Sequence, residues 1–222
     1  MPRYRLTQLA GRMSAAREAA VAPALADVLS RRLPGPERAV ARLLAGKKGR
    51  LEPPDAEQIR EALLQEARDL ATAPAPVILP AQLRDLLRRS LDRAIRRYYE
   101  AAVKPTLVSV HEWRKAVIIL RDQTALAAAR WPRGAGVAHP LLVRFARQLG
   151  HRGDLALLER RLQHLRVPSA LQRARGTLLT RLEIQREQAT LTAMLRWLRL
   201  EPQQTRLLLG KTRSRRTTGR GR

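Results

Sequence analysis

The sequence predicts an all-α protein, and three observations carry that reading. Apolar residues recur at three- and four-residue steps through most of the 222 residues, no stretch alternates apolar and polar as a half-buried strand would, and prolines and glycines cluster between the periodic stretches. Hydrophobic residues make up 45% of the chain, enough for one good core or two small ones and too many for a wholly disordered basic protein.

Taken in order, Leu6, Leu9, Ala10, Met13, Val21, Leu25, Val28 and Leu29 predict a long helix over 4–33, with Pro23 either kinking it or starting a new segment, and Pro34-Gly35-Pro36 ending it. A short basic helix over 37–45 and a cationic loop from Gly46 to Arg50 follow. Asp55 and Gln58 have the spacing of a capping box for a helix over 55–72 that carries Ile59, Leu63 and Leu70. The proline-bound run from Ala73 to Pro80 is a connector between two helical units. Leu83, Leu87, Leu91, Ala94, Ile95 and Tyr98 then form the stripe of a helix over 80–104, flanked by Arg89, Arg93, Arg96 and Arg97. The next helix, 109–130, takes Ser109 as N-cap in an S-x-x-E box with Glu112 and stops at Trp131-Pro132-Arg133-Gly134. His139-Pro140 opens another helix with Leu142, Phe145, Leu149, Leu158 and Leu162, bent or interrupted near Gly150 and Gly153. Ser169 with Gln172 repeats the capping spacing ahead of a last helix over 170–200. The residues from Lys211 on are basic, lack acids and are expected to be disordered. The resulting division is 1–79, 80–205 and a tail over 206–222.

Charge narrows the function. Lys and Arg number 44 against 19 Asp and Glu, a formal charge of +25 that repels itself unless a polyanion or anionic surface is the normal partner. Without cysteine there is no disulfide, thiolate nucleophile or cysteine-based zinc site. No segment approaches a membrane span and the start has no signal-peptide pattern, so the expected setting is the cytoplasm. Enzyme signals are poor. Leu209-Gly210-Lys211-Thr212 resembles the end of a Walker A loop, but Thr205 stands where that loop needs glycine and no strand precedes it. His111, His139, His151 and His164 have no metal-ligand spacing, and no serine sits in an elbow motif. No metal, cofactor or catalytic residue is expected.

The stretch that reads as a site is His111-Glu112-Trp113-Arg114-Lys115 with Arg121. His111, Arg114, Lys115 and Arg121 gather along one side of a helix, and a start at Ser109 would put His111 in the first turn, where unused N–H groups and the helix dipole favour an anion. A histidine in such a turn is by itself most often an ordinary surface or core residue; the cationic neighbours argue otherwise. Trp113 points elsewhere on the helix and is assigned to the core. Arg89, Arg93, Arg96 and Arg97 either form a solvated face or line the same cleft, and Arg144 and Arg147 are weaker candidates.

H-x-x-R-K followed by Arg121 resembles the signature helix of the CHAD domain, the conserved-histidine α-helical domain. The resemblance implies two antiparallel bundles of long helices with a basic cleft, and binding of inorganic polyphosphate without chemistry. Arg114 and Arg121 would grip phosphate oxygens, Lys115 would act as a mobile charge, and His111 would donate to a phosphate or orient a neighbour. Leu149-Gly150 with Asp154 is similar to the family's following helix. A weak internal repeat, in which Leu9, Met13 and Val21 align with Phe145, Leu149 and Leu157, agrees with two similar bundles.

The sequence departs from the family where Ile118 replaces a lysine and Asp122 an aromatic, and Val143 and Ala146 stand where lysine and glutamine are frequent. The first histidine helix has no room before Tyr4, so the first bundle is incomplete or a partner completes it. An exposed amino-terminal helix face would also suit a homodimer. Association with polyphosphate granules, or with the nucleoid, is what the resemblance and the charge imply. Two other classes stay open. One is nonspecific nucleic-acid binding through the basic tail, weakened by an aromatic content of 3%. The other is service to a triphosphate-tunnel enzyme, whose catalysis would lie in a separate partner.

Overall fold

The computed structural model describes residues 21–46, 54–72 and 80–209, and these are helical apart from short turns. Helix α1 covers 21–30 in its described part, α2 is Gly35–Gly46, α3 Pro54–Thr72, α4 Pro80–Val103, α5 Leu107–Ala128, α6 Val137–Gln163 and α7 Gln172–Leu209. A π turn, Pro132–Gly136, joins α5 to α6, and a 3-10 turn, Ser169–Leu171, precedes α7. Among the described residues there is no strand, as the absence of alternation predicts. The expectations for 1–20, for the loop after Gly46, for the 73–79 connector and for the tail after Leu209 lie outside the described residues.

Contacts divide the chain into two compact units, the first Met1–Val77 with Arg152–Glu187, the second Ile78–His151 with Gln188–Arg222. In the first unit Ala22, Ala26, Val40, Leu44 and Ile59 are buried, as are Leu155, Leu158, Leu162, Leu178 and Leu182. Arg186 Nε bonds Glu159 Oε2 at 2.7 Å, and beside them Arg152 is 4% exposed. Burial, with the repulsion of Arg186, holds the Arg152 guanidinium below the ordinary arginine value, and Glu159 acts in the opposite sense.

The second unit holds the candidate site. Leu87, Leu91 and Tyr98 of α4, Trp113 and Leu120 of α5, Leu142, Phe145 and Leu149 of α6, and Trp197 and Leu208 of α7 form one core. Its centre is aromatic: Tyr98 lies 5.3 Å from Trp113, Trp113 5.6 Å from Phe145, and Phe145 5.3 Å from Trp197, in tilted arrangements that such rings favour. Trp113 is fully buried, in agreement with its assignment to the core. Helix α4 packs along α5, and Ser90 of α4 donates to the Gln123 side chain of α5.

Several boundaries move. The cap of α5 is Thr106, whose hydroxyl accepts from the Ser109 N–H at 3.0 Å while Ser109 Oγ accepts from the Thr106 N–H at 2.9 Å. Ser109 is therefore the third residue of the helix instead of its cap, and Glu112 takes no part in the box. The nearer hydroxyl wins because Pro105 has already turned the chain. Helix α3 includes Pro54, one residue before the expected start. Helix α6 begins at Val137, tolerates Pro140 within the first four residues, whose N–H groups need no helical partner, and continues through Gly150 and Gly153. Each interior glycine costs about 1 kcal/mol relative to alanine, which burial of Leu149, Leu155 and Leu158 offsets. Before α7 the chain makes a 3-10 turn with no side-chain cap in place of the expected Ser169 box, and α7 runs to Leu209 with Pro202 inside it.

Candidate functional site

Helix α5 positions the signature residues. Val110, Trp113, Val117, Leu120 and Thr124 bury one face, and the packing of that face fixes the direction in which the rest of the helix points. Arg121, Arg114, Ile118, His111 and Lys115 then follow one another around an arc of about 120° on the remaining surface. His111 and Lys115 are exposed, whereas Arg114 and Arg121 are half-buried. Because the helix starts at Leu107, His111 is its fifth residue. The unused N–H groups lie before it, so the anion site expected from the helix terminus beside His111 does not form there.

The α6 side of this row is shaped by two contacts. A Cβ placed on Gly150 would lie 3.9 Å from the Arg114 guanidinium, an ordinary contact distance, so Arg114 reaches α6 beside this glycine. His139 Nδ1 lies 3.2 Å from the Arg121 carbonyl oxygen. On the α4 side Glu112 is the junction. Its carboxylate accepts from Lys115 Nζ at 2.8 Å, and Lys115, then His111 and Arg97, hold it below the ordinary carboxylate range. Arg97 donates to Glu100, which with Glu112 raises the Arg97 pKa. Arg97 of α4 and His111 and Lys115 of α5 therefore belong to one electrostatic group arranged around Glu112.

Acids the composition hides among 44 cations thus engage three of the candidate residues: Glu112 on Lys115, Glu100 on Arg97, and Asp122, whose carboxylate accepts from Arg121 Nε at 2.7 Å. Arg89, Arg93 and Arg96 project from α4 as exposed side chains, and Arg144 and Arg147 do so from α6. Arg144 stands with α7 residues that the sequence reading passed over: it lines a cleft of about 300 Å³ together with Arg196 and Arg199. Among the described residues no group of three or more histidines and acids could hold a metal ion.

With the H-x-x-R-K row placed on a long helix, the comparison with known families is decisive. A family model described as the CHAD domain matches residues 3–163. The chain belongs to the CHAD-domain family. No curated protein and no solved structure matches it. In this CHAD-domain protein the departures have visible consequences. Ile118, in place of the family's lysine, is half-buried against the core, and Asp122, in place of an aromatic, pairs with Arg121. All of α7, Arg196 and Arg199 included, lies beyond the matched span. No described helix is long and apolar enough to cross a membrane.

Proposed function

We propose that this CHAD-domain protein binds inorganic polyphosphate, without transforming it, along the outward surfaces of α5 and α4. The observation that carries the reading is the arc of His111, Arg114, Lys115 and Arg121 on a helix whose opposite face is fixed by a fully buried tryptophan. Guanidinium forks suit phosphate oxygens, and a flexible chain with about one negative charge per phosphate releases counterions as it follows such a surface. Arg93 and Arg97, then Arg89 and Arg96, extend the path along α4, and Arg147 is its candidate on α6; Arg144 faces the cleft beside α7 instead. Polyphosphate displaces Glu100, Glu112 and Asp122 from their partners as it binds. The setting we propose is cytoplasmic, on polyphosphate granules.

The test is the combined change His111→Ala, Arg114→Gln and Arg121→Gln, made in the full chain and checked for folding by circular dichroism. Affinity for long-chain polyphosphate should fall by more than tenfold, and an unchanged affinity would sink the proposal. A second reading, nonspecific nucleic-acid binding, draws on the net charge of +25 and the basic residues after Lys211. Against it, four of the seven aromatic side chains are used up in the Tyr98, Trp113, Phe145 and Trp197 core. Deleting 211–222 separates the two, because loss of RNA binding with polyphosphate binding retained would assign nucleic acid to the tail.

A further inference from the structure

The cleft between α6 and α7 has features that a polyphosphate track does not need. From α6 it takes Arg144, Phe145 and Gln148, and from α7 Arg199, Leu200 and Gln203, the same order of arginine, apolar residue and glutamine three further on; Arg196 adds a third guanidinium. No carboxylate lines it, and none of its three arginines has an ion pair among the described residues. Its floor is apolar, built from Phe145 and Leu200 over the aromatic core. The position is separate from the signature row. On α6, Gly150 and His139 face Arg114 and Arg121 of α5, whereas Arg144 and Gln148 point roughly 150° away at about 100° per residue.

We infer that this cleft is a second anion site, and that it takes a small organic phosphate of about nucleotide size. The three guanidinium groups hold the phosphate, the two carboxamides bond the polar edge of the organic body, and Phe145 and Leu200 cover its uncharged face. An inorganic polyphosphate could use the arginines but gains nothing from an apolar floor, whose burial rewards only carbon surface. A volume of about 300 Å³ also exceeds what one phosphate group fills.

The experiment is isothermal titration of the full chain with AMP, with glucose 6-phosphate, and with phosphate and pyrophosphate as bodiless controls. At least one organic phosphate should bind in a saturable way, about tenfold or more tighter than either inorganic ion. Arg196→Gln with Arg199→Gln should abolish that difference while polyphosphate affinity stays within about threefold, since two of many cations are lost. The signature variant His111→Ala, Arg114→Gln, Arg121→Gln should leave the organic phosphate bound. Equal binding of pyrophosphate, or no saturable binding of either ester, overturns the inference. So does an Arg196 and Arg199 variant that still prefers the ester. None of these outcomes touches the polyphosphate reading, which rests on the outward surfaces of α5 and α4.

Discussion

At the scale of single residues, the candidate site is a balance between guanidinium or ammonium groups and a few acids set close by in sequence. Glu112 is the most informative of them. It stands between Lys115, His111 and Arg97, and all three depress its pKa. Replacing it with glutamine frees Lys115 and removes a repulsion toward phosphate, so Glu112→Gln should tighten polyphosphate binding at pH 7 by about threefold. The sign with pH is fixed by the direction of the shift. A lowered carboxylate pKa keeps Glu112 charged until the pH falls below the ordinary carboxylate range, so the advantage of the variant should persist down to that range and vanish only beneath it. Titrations of both proteins from pH 7 to pH 3.5 check this; an advantage already gone at pH 5 would contradict it. Gly134 is a packing case. A Cβ there would stand 2.2 Å from the Trp131 ring, over which Arg84 is placed at 5.8 Å, so Gly134→Ala forces the ring out and should cost about 1–3 kcal/mol in denaturant melts. The cationic row of the site was legible from residue spacing alone. Its neutralisation was not, because whether Asp122 or Glu112 pairs with a neighbour on its own helix depends on the rotamers the two side chains adopt.

At the scale of elements, periodicity located the helices well and local chemistry located their ends less well. The stripe from Leu83 to Tyr98 is the buried face of α4, and its bounds, Pro80–Val103, differ from the expectation by a single residue. The start of α5 slipped by two because two hydroxyls compete to cap it, and spacing alone does not say that Thr106 bonds the Ser109 N–H. Glycine misled in the same way. Gly150 and Gly153 read as a bend or an interruption, and the interruption does not occur, because a helix with enough buried leucine passes through them. Gly176 offers a clean test of this balance. It sits early in α7, exposed, with nothing within 4 Å of where a Cβ would be. Gly176→Ala should therefore stabilise the protein by about 0.5–1 kcal/mol with no effect on binding. A destabilised variant would mean that α7 does not hold ordinary helical geometry at this turn.

At the scale of the whole molecule, a formal charge of +25 guarantees attraction to any polyanion, so affinity alone identifies nothing. What distinguishes a site from a cloud of charge is how binding responds to salt and to single cations. If about six side chains of α4 and α5 neutralise phosphates, the logarithm of affinity should fall with the logarithm of salt at a slope near −4, or roughly 300-fold between 0.05 and 0.2 M salt. Arg114→Gln and Arg121→Gln should then each flatten the slope by about 0.7, whereas Arg31→Gln, in the turn after α1, should leave it unchanged. A diffuse cloud would lose the same small amount for every arginine removed, wherever it lies. Competition separates the partners in the same way. Labelled polyphosphate challenged by RNA, duplex DNA and heparin at equal charge should be displaced poorly, because duplexes are too stiff to follow one helix face and, among the described residues, Tyr99 is the one well-exposed ring on which a single strand could stack. If all four polyanions displace one another equally and the two arginine variants leave the slope unchanged, the α5 row is merely part of the general charge, and the polyphosphate reading falls with it.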